Sequence, residues 1–295
     1  MILQTQKDTG EKMNIAIASG KGGTGKTTIS LALASWCAAG GDDTALLDCD
    51  VEEPNADLFL RSEIESEKKV TVPVPVVDMD KCTGCGECGD FCEFSAIVVV
   101  QGKPVVYNDM CHSCGGCELV CPVNAISEVQ REIGSVSSGR SGKIFYAGGL
   151  LNIGEPMSPP VIKETKDSFP EKAVRILDCP PGTSCPVIES VKESDFVVLI
   201  TEPTPFGLND LILAVEMCRA LKLPFGVVIN RDGIGDDQVM NYCIGENIPI
   251  MASIPFSREL AEAYARGDAT GFLLKNYSSS LESIMNFIEN LEIKK

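Results

Sequence analysis

The sequence predicts an α/β protein: a mainly parallel sheet flanked by helices, with a small α+β module inserted into it. Three observations carry this. Short apolar runs alternate with helical patterns along most of the chain. A glycine-rich turn, GKGGTGKT, stands between the first apolar run and the first helical pattern. A cysteine-dense stretch, 78–127, breaks the alternation and repeats itself.

The opening twelve residues, MILQTQKDTGEK, are polar and lack a hydrophobic period. They are expected to form a mobile extension, or to follow an upstream start codon, with the fold beginning near Met13. NIAIA (14–18) reads as a buried strand, and TTISLALASWCAAGG as a helix ending on a glycine pair suited to a C-cap. TALLD (44–48) is a second strand ending in acid. Further strands are expected at 174–178, 196–200, 225–230 and 250–255, with helices at 207–221, 236–246 and 257–266. A last helix over about 278–292 places Leu281, Ile284, Met285, Ile288 and Leu291 on one stripe. Its acids Glu282, Glu289 and Glu292 suit core packing rather than a membrane surface. The Ser-, Gly- and Pro-rich stretch 128–172 reads as connecting, partner-facing structure. The sheet domain is thus expected over 13–77 and 128–295.

The 295 residues suffice for one large core plus a small module. A net charge of −17 without a basic block disfavours nucleic acid and anionic membrane as partners. No run is long enough to cross a bilayer and no apolar signal region opens the chain, so a cytoplasmic location is expected. Eight of the fourteen cysteines fall within 82–121. In a long chain of intracellular character that density points to metal rather than disulfides.

GKGGTGKT fits G-x-x-x-x-G-K-[ST], and its place between strand and helix is the context that pattern requires. Gly20, Gly22, Gly23 and Gly25 let backbone N–H groups close round phosphate oxygens, with Thr24 and the following Thr28 on the same turn, and the helix N-terminus adds its dipole. Lys26 is placed to neutralise the β- and γ-phosphates of ATP, and Thr27 to ligate Mg²⁺.

With Lys21 included, the loop resembles the deviant Walker A motif of the MinD/ParA/nitrogenase-iron-protein class of P-loop ATPases. The resemblance implies a dimer closing on two ATP molecules, with Lys21 of each subunit reaching the phosphates of the other. LLDCDVEEPN resembles the class's switch I segment, implying that Asp50 orients the attacking water and that Asp48 lies near the Mg²⁺ shell. ILDCPPGTS resembles its Walker B and switch II segment, implying that Asp178 holds Mg²⁺ through water. VVINRDG puts Asn230 where the class reads adenine, and SIPFSREL follows as the base-flanking loop. These matches span nearly all of the chain outside 78–127.

C-x₂-C-x₂-C-x₃-C is the bacterial ferredoxin ligand run, and it occurs twice at an offset of 29 residues. In that pattern the fourth cysteine of each run ligates the other cluster. Cys82, Cys85, Cys88 and Cys121 are therefore assigned to one [4Fe–4S] cluster, and Cys111, Cys114, Cys117 and Cys92 to a second. Zinc also accepts four cysteines, but two interlocked runs of this spacing favour iron–sulfur clusters. The second run ends Cys121-Pro122 as the pattern does; the first ends Cys92-Glu93, a departure. His112, the single histidine, reads as a solvent-facing spacer, while Cys185 stands where the nitrogenase iron protein has a cluster ligand, here without an evident second one.

Taken whole, the sequence resembles MinD-superfamily P-loop ATPases carrying an inserted 2[4Fe–4S] ferredoxin domain. That implies a homodimer, or a heterodimer with a paralogue, in which ATP state is coupled to electron transfer towards a redox protein partner. A metallocofactor assembly or carrier ATPase is the alternative, though the C-terminal C-x-x-C used by such relatives is absent. A positioning ATPase of the MinD or ParA kind, with the module as redox sensor, is a third reading.

Overall fold

The computed structural model describes residues 13–169 and 174–292. The segment 1–12, expected to be an extension, lies outside the described residues. The chain begins with β1 (Met13–Ala18), α1 (Lys26–Gly40), β2 (Thr44–Asp48), α2 (Ala56–Leu60) and β3 (Glu63–Val77). The cysteine-dense part holds α3 (Glu87–Phe91), β4 (Ile97–Val100), β5 (Lys103–Val106) and α4 (Gly116–Leu119). Then come β6 (Ile126–Ser141), β7 (Ile144–Leu151), α5 (Pro159–Asp167), β8 (Val174–Asp178), α6 (Cys185–Val191) and β9 (Phe196–Thr201). The chain closes with α7 (Pro205–Ala220), β10 (Phe225–Asp232), α8 (Gln238–Gly245), β11 (Ile250–Pro255), α9 (Arg258–Ala265), α10 (Ala269–Asn276) and α11 (Ser278–Glu292).

Among the described residues, nine strands form one sheet in the order β11-β10-β9-β1-β8-β2-β7-β6-β3. From β11 to β7 every pairing is parallel, and β6 pairs antiparallel with both β7 and β3. This is the α/β P-loop NTPase fold. The strands' period of two sends alternate residues to opposite faces. Ile15 and Ile17 of β1 join α1, α10 and α11 in one core, and Ala16 and Ala18 face α5 to α8 in the other. Leu281, Ile284, Met285 and Ile288 of α11 are buried there as the stripe predicts, while Leu291 is 38% exposed. No helix among the described residues is long and apolar enough to cross a membrane.

The stretch 128–172 is not the connecting structure that its composition suggests. It holds most of β6, all of β7, and α5. The serines and glycines of β6 lie within its ladders, and Gly142, at φ +58°, turns the chain from β6 into β7. On β3, Val70, Val72 and Val74 are buried, while Pro73 and Pro75 are tolerated because β3 is the sheet's edge.

The lengths of these strands matter more than their number. β7 pairs with β6 only over 134–141, whereas β3 follows β6 along its whole length to the last rung, Val77↔Ile126. Residues 71–77 and 126–132 thus run on beyond β7 as a two-stranded arm, with the cysteine-dense segment at its tip. Ile133, fully buried at the root of this arm, packs in the core with Val161 and Ile162 of α5. Ile133→Ala is expected to cost about 2–5 kcal/mol in urea unfolding. A loss below about 1 kcal/mol would show that the arm is not anchored through this core.

Candidate functional site

β1 lies between β8 and β9, where the strand order reverses, and the loop after it crosses the carboxyl ends of the strands. Gly25, at φ +97°, hands that loop directly to the N-terminus of α1. A Cβ there would stand 2.5 Å from Asn230 Nδ2, and one on Gly20 only 2.1 Å from the Asp210 carbonyl oxygen, so both positions demand glycine. Gly22 and Gly23 face open space, and the buried Thr24 hydroxyl has no partner among the described residues. The loop therefore stands open at the N-terminal end of a 15-residue helix, the arrangement that suits an anion.

Parallel register brings Asp48 of β2 beside Asp178 of β8. Both carboxylates are buried, and burial pushes both pKa values up; for Asp48 the neighbouring Asp178 adds to the push. The nearby Thr27 and Ser30 hydroxyls, and the charge of Lys26, work the other way on Asp178. Ser30 donates to Asp178 Oδ1 at 3.0 Å, which leaves the buried Oδ2 without a partner among the described residues. Asp48 is fully engaged. Its Oδ1 accepts from the Asp50 amide at 3.2 Å, and its Oδ2 from those of Asn55 and Ala56, both at 3.0 Å. It thereby pins the loop that carries Asp50. An orphaned buried carboxylate oxygen beside Thr27 is a donor set that fits a hard divalent cation.

The other loop-side residues are placed as follows. The Asn230 amide donates to the Thr24 carbonyl at 2.7 Å, so it supports the loop from the side. Lys21 is ion-paired with Glu202 of its own chain, and Arg231 holds the second oxygen of Glu202 at 3.1 Å. Glu202 and Ser30 lie outside the motifs that the sequence displays. Glu202 could have been found as an acid closing the apolar strand β9 just before a proline; nothing in the pattern singles out Ser30.

At the tip of the arm the 29-residue repeat is reproduced in three dimensions. Gly84, Gly86 and Ser95 are left-handed, and so are Ser113, Gly115 and Asn124 at the same offset. The Ala96 amide donates to Cys92 Sγ at 3.3 Å, and its counterpart Ala125 to Cys121 Sγ at 3.2 Å. The halves interlock: the Asp78 amide donates to the Ala125 carbonyl and that of Tyr107 to Ala96, each at 2.7 Å. The hairpin β4–β5 is the repeat of the arm's own end, for Ile97↔Val106 corresponds to Ile126↔Val77.

The thiols surround two cavities. One is lined by Cys111, Cys114, Cys117 and Cys92. The other is lined by Cys82, Cys85, Cys88 and Cys121. Among the described residues no three His, Cys, Asp or Glu side chains converge tightly enough for a single metal ion. Burial raises the pKa of Cys88, and takes Cys117 up to about 11. The two crossing cysteines behave differently. For Cys92 burial is outweighed by the amides of Ile97, Phe94, Ala96 and Ser95, and Cys121 is lowered first by the Ala125 amide. His112 is exposed and stacks on Phe94 with ring centroids 3.6 Å apart.

A phosphate loop at the switch point of a parallel sheet, backed by two buried acids, defines a P-loop nucleotide-binding protein. Residues 15–270 match the CobQ/CobB/MinD/ParA nucleotide binding domain, CbiA, and the chain belongs to that family. It is 32% identical over 291 residues to the uncharacterized protein MJ0579 of Methanocaldococcus jannaschii, covering 94% of this chain and 98% of that one. It is 24% identical to a Dictyostelium discoideum protein described as a cytosolic Fe-S cluster assembly factor NUBP2 homolog, covering 96% and 95%. Among solved structures, the septum site-determining protein MinD of Pyrococcus horikoshii, complexed with Mg-ADP, superposes with a TM-score of 0.55 at 19% identity, covering 95% of each chain. That last likeness concerns the fold.

Asp50 gives the site a pH signature. Its pKa is raised to about 6, by burial first, with Lys26 opposing and Asp178 reinforcing. A carboxyl whose folded pKa lies above its unfolded value favours the fold while protonated, and that contribution is lost as pH rises from near 4 through about 6. Without nucleotide, Asp50→Asn is therefore expected to melt at a higher temperature than the unsubstituted protein at pH 8, the gap closing towards pH 4. A variant that is less stable at pH 8 would mean that Lys26 stabilises the Asp50 carboxylate more than burial penalises it.

Proposed function

We propose that this protein is an ATP-hydrolysing, nucleotide-switched dimer that couples ATP state to electron transfer through two [4Fe–4S] clusters. The clusters are held in a ferredoxin-type domain, 78–127, inserted into the ATPase domain. The observation that carries this reading is the crossed lining of the two cavities. Each combines three cysteines of one run with the fourth cysteine of the other. Thiols set around the walls of a cavity suit a cubane rather than one ion, and amides aimed at Cys92 and Cys121 favour thiolates there. Each cluster, when bound, supplies a one-electron carrier.

On the nucleotide side, the loop amides and Lys26 bind the phosphates, while Thr27 and the free Asp178 oxygen hold Mg²⁺ directly or through water. Asp48 serves the site through the loop it pins, which presents Asp50 to the water facing the γ-phosphate. Lys21 acts across the dimer once it leaves Glu202, and reading of adenine by Asn230 requires its amide to leave the Thr24 carbonyl. The cellular setting is the cytoplasm, and the partner a redox protein rather than nucleic acid or a membrane.

The similarity to an iron–sulfur assembly factor supports a second reading, a carrier that passes its clusters on. Release of iron to an apo-acceptor decides for it, and electron exchange with retained iron decides against it. For the leading reading, Lys26→Ala is expected to abolish ATP binding, and Lys21→Ala to keep binding but lower turnover about 10³-fold. Turnover unchanged in both overturns the nucleotide half. Cys121→Ala and Cys82→Ala are expected to lose the same reduced-cluster EPR signal, and Cys92→Ala and Cys111→Ala the other. If Cys92→Ala instead loses the signal lost with Cys82→Ala, the crossed assignment fails.

A further inference from the structure

The two cavities are not equivalent. The one lined by Cys111, Cys114, Cys117 and Cys92 also touches Pro75 and Glu128, whereas the other touches Val77 and Ile126. Pro75↔Glu128 lies two rungs nearer the sheet than Val77↔Ile126, so the first cavity is the inner one. Cys111 also packs partly against the main core. One charged residue of the arm breaks the symmetry further. Arg131 stands where the repeat has Gly102, so the outer cavity has no counterpart to it.

Arg131 is held by both oxygens of Glu155, at 2.5 and 3.1 Å, and Glu155 is almost wholly buried. On its other side Arg131 reaches Asp109 at 3.9 Å, two residues before Cys111. Its charged form is favoured first by the Glu155 hydrogen bond and also by Asp109 and the Cys111 sulfur. Glu155 leads back to the nucleotide side. It sits on the turn after β7, whose Asn152 amide donates to the Ile133 carbonyl at 2.9 Å. The Leu151 amide just before it donates at 2.8 Å to the carbonyl of Val51, the residue after Asp50. The route is short: Asp50, Val51, Leu151, Glu155, Arg131, Cys111.

We propose that Arg131, neutralised to a variable degree by Glu155, is the positioned charge through which the segment following Asp50 sets the reduction potential of the inner cluster. This rests on the reading that the cavities hold [4Fe–4S] clusters. Reduction adds negative charge, so an adjacent guanidinium favours the reduced form and a carboxylate against that guanidinium weakens the effect. When residues 50–51 answer to the γ-phosphate, Leu151 and the turn behind it follow, and the Glu155–Arg131 contact changes. The inner potential then moves while the outer one stays. An ion pair that merely pinned the turn would not produce this selectivity.

The test is an EPR-monitored redox titration of the full cluster-loaded chain, with and without ATP and Mg²⁺. It compares the unsubstituted protein with Arg131→Gln, Arg131→Lys and Glu155→Gln. The expected pattern is one of two midpoints falling in Arg131→Gln and rising in Glu155→Gln, with Arg131→Lys close to the unsubstituted value. The nucleotide response of that midpoint is expected to vanish in both glutamine variants while the second midpoint stays put. Shifts of the same sign in the two glutamine variants, or a nucleotide response that survives in them, would overturn the proposal. If Arg131→Gln does not load clusters, Glu155→Gln decides, by a rise of that midpoint and loss of its nucleotide response, with Arg131→Lys as the control that keeps the charge. A cluster-loaded unsubstituted protein with no nucleotide response of either midpoint would also overturn it, whereas a failure of the underlying reading looks different: the unsubstituted protein itself holds no clusters.

Discussion

The ladder between β3 and β6 is the constraint on which the rest of the molecule depends. At one end it closes the edge of the sheet through β7, beside β2 and the loop that carries Asp50. At the other its last rungs are one of the two antiparallel strand pairs of the repeated cysteine segment, matched by β4–β5. Backbone hydrogen bonds run unbroken from one to the other, apart from two small register shifts. A flexible linker would let the tip tumble independently; a paired arm rooted on Ile133 and α5 does not.

The nucleotide side is built to be unsatisfied. Asp48 and Asp178 are forced together by strand register; burial raises the cost of ionising both, and Asp178 adds to it for Asp48. Asp48 settles this by accepting three amides and so becomes the post that holds the loop carrying Asp50. Asp178 keeps one oxygen free, and Asp50 stays poised near pH 6. Lys21 is meanwhile neutralised within its own chain by Glu202, which Arg231 holds from the other side. In the proposed function such a site is completed by a cation, a polyphosphate and a second subunit.

Much of this was legible in the sequence. The phosphate loop, the acids that end β2 and β8, and the 29-residue cysteine repeat each carry a local signature, so periodicity and spacing were enough. What was hidden was the antiparallel edge. Pro73 and Pro75 interrupt the look of a strand although Val70, Val72 and Val74 alternate faithfully, and the serines and glycines of 134–140 look like a loop until they are paired on both sides. The contacts of Glu202, Glu155 and Arg131 were also beyond reach, because each is made across 22 or more residues by an ordinary charged side chain. Long-range charge pairing leaves no local pattern to read.

The most direct measurement of coupling is hydrogen exchange of the cluster-loaded protein with and without ATP and Mg²⁺, with Lys26→Ala as control. If the nucleotide site and the tip are one mechanical unit, ATP alters protection at 49–56 and at 150–157, and the change carries through the arm into 107–117. The control shows none of it. Changes confined to the phosphate loop and α1, with 150–157 and 107–117 unaffected although ATP is bound, would contradict it and leave the two sites merely tethered.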